Sequence, residues 1–198
     1  MNTASLVRSK APVTIRLSLA LFASVVVLAL VPGALDALAL NPCEPNYKHF
    51  LLGAVLHPFA MSGLVHWLAV SIPLLLSAVV TERELGVRWV AALWLTATSI
   101  SALAYPQLAT SCIPFIGPAC FAWAFAGTVL AAVPQRWGKA HAWEKVYVVF
   151  IAIFALAMLG TSLVEAVISL AGIALGATAL LIAQKRHRKR TTHGATAA

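Results

Sequence analysis

The groups able to do chemistry inside the apolar stretches of this chain form a short set: His57, His66, Ser71, Ser77, Thr96, Thr98, Ser99, Ser101, Thr128, Glu165 and Ser169. Polar groups in such surroundings are costly, so each calls for a reason. Serine and threonine on apolar helices usually bond a backbone carbonyl or a neighbouring helix, and that covers most of them. His66 is harder to dismiss. It stands in the first turn of an apolar helix, where an imidazole either takes part in a site or simply bonds a loop carbonyl. Glu165 lies near the edge of an apolar run, where a carboxylate costs little. The cysteines are Cys43, Cys112 and Cys120, and none forms a CxxC pair, so neither a zinc site nor a cofactor is expected. Cys43 and Cys112 fall in loops on the same side of the apolar segments. They can pair, but spacing alone does not fix the connectivity.

The elements that must position these groups are read from composition. Apolar residues make up 61% of the 198 and charged residues only 10%, with a mean hydropathy of +0.90. A soluble domain is about half apolar and about a quarter charged, so this chain lacks the polar surface to face water on all sides. A membrane helix needs about 20 mostly apolar residues. Six runs qualify or come close: 13–31, 63–80, 89–105, 119–133, a short one at 146–159, and 163–183. The stretch 50–62 reads as loop or interfacial structure, 81–88 as a charged turn, and 160–162 as a tight link. The first 31 residues resemble a signal peptide, but the apolar stretch is long and further membrane segments follow, so a retained first helix is expected. The expected class is an all-α, polytopic membrane protein. It divides into a tail at 1–12, a six-helix membrane domain at 13–184 and a basic tail at 185–198.

Charge sets the expected orientation. The net charge is +8, but it is not gathered into a nucleic-acid-binding face. Arg8, Lys10 and Arg16 lie at the N-terminal end, Arg83 and Arg88 between the second and third runs, and Arg136, Lys139 and Lys145 between the fourth and fifth. Five more lie in Lys185-Arg186-His187-Arg188-Lys189-Arg190. Only Lys48 falls on the other side, so thirteen of fourteen basic residues share one side, as the alternation of six spans requires. Cytoplasmic loops are the basic ones, which places both termini in the cytoplasm, most naturally at a bacterial inner membrane. The lipid bilayer is the expected partner. The basic tail can attract anionic headgroups at about 1 kcal/mol per residue, although a topology anchor is the plainer reading.

Glycines supply the next clue. Gly172 and Gly176 make a GxxxG on the sixth run, while Gly117 and Gly127 stand at the start and middle of the fourth. Small residues let two backbones approach, so the fourth and sixth helices are expected to meet face to face.

These positions fall into an order with a resemblance. The stretch from His57-Pro58 to Gly63-Leu64-Val65-His66, an apolar helix, and then Glu82-Arg83-Glu84-Leu85-Gly86 resembles the second-helix region of rhomboid intramembrane serine proteases. Gly117-Pro118-Ala119-Cys120 sits where that family has Gly-x-Ser-Gly, with Trp123 and Gly127 further along. Ser169-Leu170-Ala171-Gly172, followed by Gly176, resembles the family's His-x-x-Gly-x-x-x-Gly. The resemblance runs from about residue 46 to 183 and implies a six-helix rhomboid-like bundle.

The departures decide the chemistry. The family's nucleophile position reads Ala119, whose methyl group cannot attack a carbonyl. The position of the general base reads Ser169, which cannot take a proton near neutral pH. His66 matches one oxyanion donor of the family, but the partner asparagine position reads Val70. Three of four chemical positions are lost and the packing glycines stay, so no catalytic residue is expected. The resemblance then implies a pseudoprotease that admits transmembrane segments of client proteins between its second and fifth helices. One alternative is a protease with another nucleophile, such as Cys120, Cys112 or Ser111. A helical step of about 100° turns Cys120 away from the site. A small transporter is the other, against which the spans lack paired charges and visible inverted repeats.

Overall fold

The computed structural model describes residues 12–158 and 162–195 and is all-α, with no strand among the described residues. The helices are α1 (Pro12–Leu30), α2 (Ala34–Leu38), α3 (Tyr47–Leu56), α4 (Leu64–Leu85), α5 (Val87–Leu108), α6 (Ala119–Gln135), α7 (Ala142–Met158) and α8 (Leu163–Ala195). Single 3₁₀ turns occupy His57–Phe59 and Trp137–Lys139. Four helices, α1, α4, α5 and the Leu163–Arg186 part of α8, are long and apolar enough to cross a membrane. Helices α6 and α7 are each 17 residues long, about 26 Å at ~1.5 Å per residue. Large apolar side chains such as Leu19, Leu30, Val65, Leu95, Leu103, Ile153 and Leu156 stand exposed around the outside. A surface that apolar belongs in lipid.

Helix α6 is the axis of the bundle. It packs against α4, α5, α7 and α8 and is buried on nearly every side, as a helix that is apolar all round must be. Its closest partner is α8. A Cβ added at Gly127 would lie 2.2 Å from the Ile173 carbonyl oxygen, at Gly172 2.4 Å from that of Cys120, and at Gly176 1.7 Å from that of Ala124. The glycines therefore permit backbone-to-backbone contact, and the expected pairing of these two helices is met.

Several boundaries differ from the sequence expectation. The stretch 50–62, expected as loop or interfacial structure, carries most of the short helix α3 and the His57 turn. His57 is buried, and its Nδ1–H donates to the Gly53 and Ala54 carbonyls at 3.2 Å each. Burial pushes its pKa down to about 4 against those hydrogen bonds, so the ring is neutral at pH 7. The charged turn 81–88 shrinks to Gly86, because α4 stays helical through Leu85 and Gly86 takes a left-handed φ of 84°. Helix α5 runs past Pro106, which sits in the last turn where one lost hydrogen bond is cheap. Helix α7 begins earlier than expected, at Ala142, and α8 continues through the basic run, whose Lys and Arg are good helix formers. Most of the link 160–162, residue 159 and the first eleven residues lie outside the described residues.

Contacts define the two ends of the bundle. At one end, Val13 and Thr14 N–H and the Thr14 hydroxyl donate to Glu82 at 3.2, 3.0 and 2.7 Å. Glu82 thus caps the start of α1 from the last turn of α4, satisfying donors a helix start leaves open. Arg136 pairs with Glu84 at 2.9 Å and with Glu144 at 2.8 Å, Arg83 pairs with Glu144, and Gln184 donates to Gln135 at 2.9 Å. The start of α1 and residue 184 of α8 therefore share this end with the basic links.

At the far end, Leu40 and Phe115 exchange two backbone hydrogen bonds of 3.0 and 2.9 Å. A disulfide joins Cys43 to Cys112, with Cα atoms 5.3 Å apart. Tyr105 stacks on Phe115 and its hydroxyl donates to the Ile113 carbonyl at 2.6 Å. The loop leading into α6 is therefore fixed on three sides. Replacing Cys43 and Cys112 by serine is expected to lower stability by about 2 kcal/mol, the low end for a native disulfide, because inserted helices already restrict the reduced chain. Thermal unfolding in detergent with and without reductant checks this: reductant should shift the wild type toward the variant and leave the variant unmoved.

Candidate functional site

The pinned loop and the start of α6 meet α4 around an apolar cavity of about 240 Å³. His66 and Val70 line it from α4, Gly117 from the loop, and Ala119 and Trp123 from α6. Five of the six expected site positions thus surround one cavity. Ser169, the sixth, is not part of the lining. It lies on α8 one turn before Gly172, which contacts Cys120 and Trp123, so it faces the seam with α6. It is 4% exposed, and its hydroxyl has no hydrogen-bond partner among the described residues.

Local geometry explains how the loop is held. Gly117 adopts a φ of 85°, which favours glycine, and its N–H donates to the His57 carbonyl at 2.9 Å. A Cβ there would lie 3.5 Å from Cε1 and Nε2 of His66, so the imidazole edge faces this glycine. The other ring nitrogen is engaged. Ser62 N–H donates to His66 Nδ1 at 3.3 Å, with the Ser62 hydroxyl 3.0 Å from the same atom. A bond from the amide needs an unprotonated Nδ1, which puts the ring proton on Nε2, toward Gly117. His66 therefore offers a donor beside the cavity. Ser62 was not singled out by sequence; its signal was a serine four residues before a histidine at a helix start.

The opposite wall comes from α7. Tyr147, Phe150, Ile151 and Phe154 line the cavity at i, i+3, i+4 and i+7, a single helix face legible from spacing alone. Phe150 stacks on both Tyr147 and Phe154, and Phe154 stacks on Trp123 at 5.7 Å. Phe150 and Phe154 are about half exposed, so this aromatic wall continues from the cavity to the outer surface of the bundle. The Tyr147 hydroxyl donates to the Pro73 carbonyl and lies 2.8 Å from the Ser77 hydroxyl. That is the polar link between α4 and α7 along the cavity.

Ala119 carries no nucleophile, and the two hydroxyls that line the cavity, Ser77 and Tyr147, face each other at 2.8 Å. Cys120 is buried, does not line the cavity and points into the core among α5, α6 and α8 residues. Cys112 is consumed in the disulfide. What the arrangement offers is an apolar, aromatic-walled recess with one imidazole N–H at its edge. No protein-family profile, curated protein or solved structure matches this chain.

Proposed function

We propose that the chain is a rhomboid-like pseudoprotease of the cell membrane that binds transmembrane segments of client proteins without cleaving them. In this reading α1, α4, α5, α6, α7 and α8 are the six spans, with both termini cytoplasmic. The basic residues support that orientation, and the Cys43–Cys112 disulfide at the far end fits an oxidising outer compartment. The observation that carries the functional reading is the cavity between α4 and α7. It gathers His66, Val70, Gly117, Ala119 and Trp123, and its aromatic wall reaches the lipid-facing surface. An apolar client helix needs no hydrogen bonds from such a wall, only shape and aromatic contact.

The test is a photo-crosslinker at Phe154 in cells, with an Ala126→Phe variant whose added ring fills the recess. Specific transmembrane proteins are expected on the wild type and should fall several-fold in the filled variant. Equal recovery from both would overturn client binding at this site.

A second reading, intramembrane proteolysis by another nucleophile, is favoured by the Ser62–His66 contact. Cleavage of a helix-destabilised transmembrane reporter, lost in Ser62→Ala, would establish it in place of the pseudoprotease. The expected result is no cleavage by the wild type.

A further inference from the structure

A second cleft lies at the opposite, charged end, where the α4–α5 turn meets the last apolar turns of α8. It measures about 820 Å³. Arg88 and Arg186 reach into it from α5 and α8, and both are exposed. Neither pairs with a carboxylate among the described residues. The Arg186 guanidinium sits 5.7 Å from the centre of the Trp89 ring, which holds it over the cleft. The carboxylate present, Glu84, is occupied by Arg136 at 2.9 Å and Arg83 at 3.4 Å. The unopposed charge in the cleft is therefore positive. Apart from Gln184, which donates to Gln135, the rest of the wall is apolar, from Leu85 and Val87 to Ala92 and Ala183, and those residues lead toward the apolar part of the bundle.

We infer that this cleft is a binding site for an anionic phospholipid, with the headgroup phosphate between Arg88 and Arg186 and an acyl chain along the apolar wall. Guanidinium groups bond phosphate oxygens in pairs, and two from different helices can bracket one headgroup. Trp89 stands where tryptophan belongs at a membrane–water boundary. Beyond Arg186, the basic residues Arg188, Lys189 and Arg190 raise the local concentration of anionic lipid. The site is far from the apolar cavity and does not rest on the client-binding reading.

The test is native mass spectrometry of the full chain in detergent, titrated with dioleoyl phosphatidylglycerol or dioleoyl phosphatidylcholine. One phosphatidylglycerol per chain should be retained, and phosphatidylcholine should not. Retention should weaken at least about tenfold in Arg88→Gln/Arg186→Gln, which removes both charged contacts. It should fall much less in Arg188→Gln/Lys189→Gln/Arg190→Gln, which thins the tail and keeps both cleft arginines. Both arginines are exposed and unpaired, so the bundle should keep its elution profile and unfolding midpoint in the first variant. Equal retention by wild type and that variant overturns the proposal, as does greater loss in the tail variant. A third arm adds millimolar inorganic phosphate against matched chloride. Competition for the two arginines is expected; phosphate bound by the wild type while phosphatidylglycerol is not retained even in chloride would identify a free-phosphate site and overturn the lipid.

Discussion

Gly176→Ala is expected to destabilise the detergent-solubilised protein by about 3 kcal/mol, the upper end for overpacking a well-filled interior. The added methyl carbon would lie 1.7 Å from the Ala124 carbonyl oxygen and 2.9 Å from the Thr128 amide nitrogen. Both are backbone atoms of α6, so no side chain can turn aside and the two helices must separate. That separation also stretches the bond from the Thr128 hydroxyl to the Gly176 carbonyl, now 3.3 Å. Gly138→Ala is the control. It meets nothing within 4 Å, and the change there should stay within about 0.5 kcal/mol. Unfolding followed by circular dichroism in mixed micelles compares the two, and equal midpoints would show that the α6–α8 seam is not tightly packed.

Glu144→Gln is expected to cost about 3 kcal/mol at neutral pH, the low end for removing one partner of a buried ion pair. Glu144 is 0% exposed and stands ahead of the apolar run that begins at residue 146. It accepts from Arg136 at 2.8 and 3.1 Å, from Arg83, and from the His141 N–H at 2.9 Å. Removing its charge leaves Arg136 with Glu84 alone, while Arg83 can turn to water, which keeps the cost at the lower end. Burial alone would raise the Glu144 pKa. The hydrogen bonds from Arg136 and Arg83 outweigh it and hold the pKa at about 2, below the usual 4.5. A depressed carboxylate stabilises the folded state fully above the unfolded value. The wild-type advantage over Glu144→Gln should therefore be constant above pH 4.5 and shrink as the pH falls toward 2. A gap between the two proteins that does not change over that range would show that the pair contributes nothing.

Much of the architecture was legible because membrane helices announce themselves locally. Long apolar runs bounded by proline, glycine or charge gave the order of the helices, and Gly172 and Gly176 gave the partner of α6. What lay beyond reach depended on distant residues. Glu82 read as part of a turn because the donors it satisfies lie near residue 13. Arg83, Glu84 and Arg136 count in the sequence only as parts of charged links, and Glu144 carries no signal there, since nothing local says that three helix ends converge. For the stretch 50–62 the sequence leaves loop and interfacial structure both open, because a short helix ending in a 3₁₀ turn at a buried histidine leaves no long periodic trace.

The cavity was half legible. Its α4 and α6 wall follows from His66, Val70, Gly117, Ala119 and Trp123. The α7 wall was present in the spacing of Tyr147, Phe150 and Phe154, but an aromatic face in an apolar helix reads equally as lipid contact. Ser169 marks the remaining gap, since helix phase alone does not say whether a buried hydroxyl opens on the recess or on the seam beside it.

The cap that Glu82 places on α1 also bears on the order of assembly. The first turn of α1 and its acceptor are separated by 68 residues. At synthesis rates of ~5–20 residues per second, α1 waits about 3–14 s after leaving the ribosome before its acceptor is made. During that interval its leading amides must be held by water or lipid headgroups, so α1 cannot take its final depth alone. Closure comes only when α4 has crossed and brought its carboxylate back to the starting side. The first helix is thus committed only once α4 is in place, and a nascent chain halted before residue 82 should hold it in a looser, more accessible position than the finished protein does.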